Sequence, residues 1–376
     1  MSTRAVLVTE HTPRLDSGHG LRRYAIARAL ASERPLDIVY TVFGAAEPAP
    51  EFSGDERFRL HPVHAGRGPR RLATYLRARA GGIPRGFARG VSPELVAAAR
   101  EASRGASHVV ADGPVAGAVM LQGRVRPFIY NGHNVESDLR SRARDRDVGS
   151  ARVLRRFEMR LLDTASESWM VSERDMALAA QLVPTAPLRL VPNAVDVAAI
   201  EPVEPDFGAR RAVFVGSLDY EPNRRAVRFL VDEVMPRVWE REPEARLRVA
   251  GRGIGERVDE SERVEVLGFV ERIRDAYVGS SCVVIPLLEG GGSPLKFVEA
   301  LAYRLPVVAT PFAAAGLSVE PGRDYAEADA SPEAFAAELV AVLRGERPGL
   351  GREGRELVAR RYSVEAVARA IGPLGN

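Results

Sequence analysis

The stretch 290–300, "GGGSPLKFVEA", holds the single lysine among 53 basic residues; every other one is arginine. Lys296 and Glu299 stand three positions apart, which places both side chains on one face of a helix. An ammonium is a compact point charge on a flexible stem, and it fits a crowded phosphate pocket better than a planar guanidinium fork. A carboxylate accepts two hydroxyl hydrogen bonds, which suits a ribose diol. Lysine for a diphosphate and glutamate for a ribose together describe a nucleoside-diphosphate site. The bland alternative is a surface pair contributing roughly a few tenths of a kcal/mol in its weaker orientation. The uniqueness of the lysine favours the site.

The neighbouring residues supply the frame. "CVVIPLL" is a continuous apolar run, as in a strand buried on both faces. "EGGGS" follows as a turn, Ser293 suits an N-cap and Pro294 the first helical position. A helix is then expected from Leu295 through "LKFVEALAYR", with Lys296 in its first turn. Helix N-termini bind anions, so the backbone from Gly292 to Leu295 is a candidate phosphate cradle. A cation there is unfavourable by about 0.3–1 kcal/mol unless an anion joins it. At an effective dielectric near 20, a lysine about 4 Å from a phosphate oxygen gains roughly 4 kcal/mol before desolvation.

Other candidates lie elsewhere in the chain. Gly18 and Gly20 in "DSGHG" follow the first strand and allow close backbone approach to a phosphate; an ordinary turn is the rival reading. His133 follows the strand "PFIYNG", and all six histidines fall in the first half, so any histidine chemistry must come from there. Its rival role is a local hydrogen bond in a loop. Arg252 in "AGRG" stands at a strand end. Asp145-Arg146-Asp147 spells D-x-D, but in an arginine-rich helical stretch where a solvated face is expected. His61 and His64 have no clustered acidic or cysteine partner, so no metal site is expected. "GRGIG" lacks the Lys-Ser/Thr of a P-loop, and no G-x-S-x-G elbow is present. The stretch Arg67–Arg89 is the most basic; it reads either as an arginine-biased surface helix and loop or as a contact for an acidic membrane or lipid-phosphate acceptor.

These residues need a scaffold, and the chain predicts one. Strand and helix alternate from "AVLVT" onward, pause at the acidic, proline-containing "VAAIEPVEPDFGARR", and restart at "AVFVGSL". The expectation is α/β: two Rossmann-like doubly wound domains facing a central cleft, with ligands beyond the carboxyl ends of the strands. The expected boundaries are 1–196, a linker at 197–210, a second domain at 211–358, and a last helix at 359–376 crossing back. The 376 residues suffice for two cores. A formal net charge of +3 implies no nucleic-acid partner. One cysteine, Cys282, permits no internal disulfide and fits a reducing compartment. The N-terminus does not read as a signal peptide, and no apolar run reaches the roughly 18 residues of a membrane span. A cytoplasmic protein is expected, with a face that can touch the membrane.

At this point the sequence resembles the family 4 retaining glycosyltransferases of the GT-B fold. The matching strings are "VFVGSLDYEPNRRA", "LRVAGRG", "VEVLGFVERIRDAY", "CVVIPLLEGGGSPLKFVEALAYRLPVVAT" and "RYSVEAV", in family order; "HNVE", "RFEMRLLD", "VSERD" and "VPNAVD" extend the likeness into the first half. The resemblance implies transfer of a sugar from a nucleotide-sugar donor to an acceptor hydroxyl, with no metal or other cofactor. The first domain would hold the acceptor and the second the donor. It assigns Glu299 to the ribose, Lys296 to the diphosphate, the Val270 backbone to the base and His133 to the donor-sugar end of the site. Two departures stand out. The family's first glutamate falls on Gly291, with Glu289 two positions away, and its phosphate-binding arginine falls on Ser217, leaving Arg224, Arg225 or Arg252 as substitutes. Two alternatives remain open: a nucleotide-sugar epimerase on the same fold, and a catalytically silent nucleotide-sugar-binding subunit. Donor base, sugar, acceptor and oligomeric state are not encoded in any motif.

Overall fold

The computed structural model describes residues 4–15, 17–142, 148–253, 258, 260–289 and 295–372. It divides into two units, Met1–Asn193 with Val364–Asn376, and Ala194–Ser363.

The first unit carries seven parallel strands: β1 (Ala5–Thr9), β2 (Leu36–Thr41), β3 (Phe58–Val63), β4 (His108–Asp112), β5 (Ile129–Asn131), β6 (Glu167–Met170) and β7 (Leu188–Leu190), in the order β3-β2-β1-β4-β5-β6-β7. Its inner strands are apolar on both faces because helices cover both. Every residue of β1 is buried, and Val6, Val8, Ala111 and Tyr130 join Val119, Met120, Phe128 and Leu161 in one core. The helix Gly18–Leu30 starts at Ser17, whose side chain accepts from the Gly20 N–H. The helix Val364–Ile371 packs against it, and Arg189 of β7 donates to the Ile371 carbonyl at 2.6 Å. The edge strand β3 pairs Tyr40 with Pro62, a residue the sheet interior would not accept.

The second unit carries six parallel strands: β8 (Arg211–Val215), β9 (Arg246–Ala250), β10 (Val264–Gly268), β11 (Cys282–Ile285), β12 (Val307–Ala309) and β13 (Ala326–Glu327), in the order β10-β9-β8-β11-β12-β13. β11 is buried throughout, and burial pushes the Cys282 thiol up, so it packs as a small hydrophobe. Residues 197–210 are stitched onto this unit: Val203 N–H donates to Tyr303 at 2.8 Å and Asp206 N–H to Ser280 at 3.0 Å. A π-helical turn, Phe229–Val234, joins the helices Glu221–Arg228 and Met235–Arg241.

The expected doubly wound α/β architecture is therefore present in each unit. In both, the strand order reverses at one place: between β1 and β4, and between β8 and β11. Loops leave such a point in opposite directions and open a crevice at the carboxyl ends of the strands. Among the described residues, no helix is long and apolar enough to cross a membrane.

Candidate active site

The reversal point of the second unit is where Lys296 lies. The helix Leu295–Ala302 follows β11, and the Lys296 ammonium reaches over the end of its neighbour β8. Nζ donates to Asn223 Oδ1 at 2.6 Å and stands 4.8 Å from the Phe214 ring centroid. Asn223 is itself fixed, its amide donating to the Ser217 carbonyl at 2.7 Å. Gly216 makes the approach geometrically feasible, since a Cβ there would lie 2.8 Å from Nζ. The loops after β8, β9 and β10 interlock beside it. Gly251 N–H donates to Gly268 at 2.7 Å, and a Cβ on Gly251 would lie 2.2 Å from the Gly216 carbonyl oxygen. Gly251 has φ +144°, which a side chain rarely tolerates.

Lys296 and Glu299 are both half-buried. Desolvation lowers the Lys296 pKa to about 7, with Glu299 pulling the other way. Desolvation likewise raises Glu299 to about 7, opposed by Lys296. Tyr277 and Tyr303 pack against each other with rings tilted by 54° at a centroid distance of 5.0 Å; burial and then Glu299 push both hydroxyls up. An ammonium and a carboxyl this poorly solvated gain from any ligand that brings a negative charge to one and hydroxyl donors to the other.

The remaining expectations for this unit fall as follows. Leu295 is buried at the start of the helix. Gly292, Ser293 and Pro294, with Gly291, lie outside the described residues. Val270 is half-buried just beyond β10. Arg252 is exposed and lies over the Phe269 ring at 5.3 Å. Arg224 donates to the Leu218 carbonyl at 2.7 Å and pairs with Glu221, while Arg225 pairs with Glu289 at 2.9 Å. Glu289 is thus held by an arginine. Asn223 and Gly216 were not singled out by the sequence. An asparagine inside the first turn of a helix, in "YEPNRRA", was the available signal.

The reversal point of the first unit holds a second constellation. Asp112, the last residue of β4, accepts from Arg23 Nε at 2.6 Å, Asn131 Nδ2 at 2.9 Å and His133 Nε2 at 2.7 Å. Burial alone would raise its pKa; Arg23 and His133 outweigh that and hold it well below the ordinary carboxylate value. An ionised carboxylate only accepts, so His133 donates to it from Nε2. Arg22, 2% exposed, donates to Asn131 Oδ1 at 2.7 Å and the Val191 carbonyl at 2.8 Å; burial lowers its pKa only to about 10. The His19 ring stacks on His133 at 4.7 Å. Gly113, at φ +83°, leaves room for that imidazole, because a Cβ would lie 3.1 Å from Cε1. Gly18 and Gly20 begin the next helix, and Gly20 is needed for packing: a Cβ there would lie 2.1 Å from the Arg14 carbonyl oxygen.

The segment after His133 is pinned from behind. Glu158, 5% exposed, accepts from the backbone N–H groups of Glu136 at 2.5 Å and Ser137 at 3.0 Å. Burial raises its pKa to about 7 against the pull of those donors. Asp112, Arg22, Arg23 and Glu158 escaped the sequence reading, because their partners are 19 to 169 positions away. The D-x-D at Asp145–Asp147 lies outside the described residues. Among those described, no group of three His, Cys, Asp or Glu could hold a metal ion.

Comparison with solved structures defines the fold. Over 98% of both chains this protein superposes on HepE from Anabaena, in complex with UDP and glucose, with a TM-score of 0.71 at 14% identity. It covers 99% of its own length and 98% of that of the sucrose-phosphate synthase of Thermosynechococcus elongatus, with a TM-score of 0.72 at 18% identity. S. aureus TarM matches over 98% of both chains, with a TM-score of 0.71 at 9% identity. The fold is GT-B. Residues 209–345 match the family model described as glycosyl transferases group 1. No curated protein matches the sequence.

Proposed function

We propose that the protein is a cytoplasmic, retaining glycosyltransferase of family 4, using a nucleoside-diphosphate sugar without a metal or other cofactor. The acceptor is a hydroxyl of a glycan, a lipid-linked sugar or a small natural product. The reading is carried by the half-buried ammonium of Lys296 at the strand-order reversal, beside Glu299. The HepE complex with UDP-glucose supports a nucleoside diphosphate as the ligand.

In the proposed reaction the bond from the sugar's anomeric carbon to the diphosphate breaks, and its electron pair goes to the phosphate oxygen. Lys296 stabilises the charge growing there, in a site where little water competes. Glu299 accepts from the ribose hydroxyls, and the Val270 backbone meets the base. The acceptor oxygen bonds to the same face of the sugar, and its proton passes to the departing phosphate. His133, oriented by Asp112, orients and polarises the reacting groups.

Calorimetric titration of UDP and GDP tests the reading. Binding is expected for the native chain and at least about tenfold weaker for Lys296→Ala. A nucleotide that binds both equally, or settles elsewhere in a co-crystal, overturns it.

A further inference from the structure

Many arginines are neutralised in place: Arg248 by Glu265 at 2.9 Å, Arg237 by Glu333 at 2.7 Å, Arg347 by Glu338 at 2.7 Å. One surface of the first unit is not. Between Glu56 and Glu94 the chain holds nine arginines and no acidic residue. Among the described residues, Arg67, Arg70, Arg77, Arg85 and Arg89 are exposed and take part in no ion pair.

This surface extends beyond one segment. The helix Pro69–Ala80 buries Thr74 and Ala78, turns Leu72 (58% exposed) and Leu76 (55%) outward one turn apart, and also exposes Arg70 and Arg77. The helix Val148–Thr164 joins it: Arg160 donates to the Gly81 carbonyl at 2.9 Å, and Phe157 packs on Phe87 at 5.7 Å. That second helix exposes Arg152, Arg155 and Arg156, with Met159 between them and Arg160. Two adjoining segments thus expose arginines together with aliphatic side chains.

We infer that this face docks on an anionic phospholipid surface. Unpaired arginines meet the headgroup charge, and the leucines and methionine enter the headgroup boundary. Those aliphatic groups favour a lipid surface over a soluble polyanion, which would give them nothing apolar to bury. The apolar contribution is small, so the contact is reversible and weakens with salt.

Co-sedimentation of the full chain with phosphatidylglycerol vesicles, at low and at physiological salt and without nucleotide, tests the inference. Binding is expected to anionic vesicles and not to phosphatidylcholine ones. Arg70→Glu with Arg77→Glu should weaken it at least about tenfold. Leu72→Ser with Leu76→Ser should weaken it severalfold, at unchanged heparin binding. All four positions are solvent-facing, and unchanged thermal melting confirms folding. No binding to anionic vesicles at low salt overturns the inference. So does heparin binding with vesicle binding indifferent to the leucines, which would assign the face to a soluble polyanion. Nucleotide binding is read separately, so either reading can fail alone.

Discussion

The carboxyl ends of the two sheets follow opposite electrostatic plans. At the end of β4, charge is balanced from within: Asp112 lies among Arg23, Asn131 and His133, and its carboxylate is fully engaged. At the end of β11, burial desolvates Lys296 and Glu299, and among the described residues Asn223 is the one hydrogen-bond partner of the ammonium. A network saturated by its own residues holds its shape without help. A pair that burial pushes toward neutrality is relieved only when something else arrives. The first arrangement stabilises and orients; the second is, in the proposed function, where the ligand docks.

The sharpest way to break this contrast is to remove one member of each. Asp112→Ala leaves the Arg23 guanidinium buried without its counter-ion, and should destabilise by about 3–5 kcal/mol in urea unfolding. Lys296→Met should do the reverse: turnover falls at least about a hundredfold, on the order of 3 kcal/mol of lost transition-state stabilisation, while the melting temperature stays level or rises. Equal loss of stability in both variants would erase the distinction between the two sites.

Removing the support behind His133 is the next smaller effect. Glu158→Ala orphans two backbone N–H groups and should cost about 1–3 kcal/mol, with Glu158→Gln recovering most of it. Urea midpoints of the two variants give the comparison.

The smallest effect is a pH profile. Glu299 holds its proton more tightly in the folded chain, so its contribution to stability falls as pH rises from about 4.5 to about 7. Lys296 holds its proton less tightly when folded, so its contribution rises with pH from about 7 to 10.5. Together they put a shallow dip near neutrality into the melting-temperature curve. The double variant Lys296→Met/Glu299→Gln should flatten it, and saturating UDP should fill it in. A dip of the same depth in the double variant would mean it originates elsewhere.

Much of the fold was legible because its inner strands are unbroken apolar runs. "AVLVT", "HVVADG", "AVFVGSL" and "CVVIPLL" all became strands covered on both sides. β3 was not legible: "FRLHPV" carries a histidine and a proline and exposes much of its length, as only an edge strand does. The two-residue β13 leaves too little pattern to read, and the π-helical turn at Phe229–Val234 has no signature in "FLVDEV". In the candidate site, Lys296 and Glu299 announced themselves by residue type and helical spacing. Asn223 and Asp112 did not, because what matters about them is which strand ends come to lie side by side. Local sequence does not carry that information.

The glycines under Lys296 have a consequence for variation. A methyl group on Gly251 would collide with the carbonyl of Gly216, and one on Gly216 would occupy the space of the ammonium itself. At Gly251 the floor of this cup therefore admits no side chain, whereas at Gly216 one would have to displace the Lys296 and Asn223 side-chain ends. Its rim admits side-chain diversity, at the exposed Phe269 and the half-buried Val270. In the proposed site, natural drift or a laboratory library reshapes specificity mainly from the rim, around a base that stays bare at Gly251.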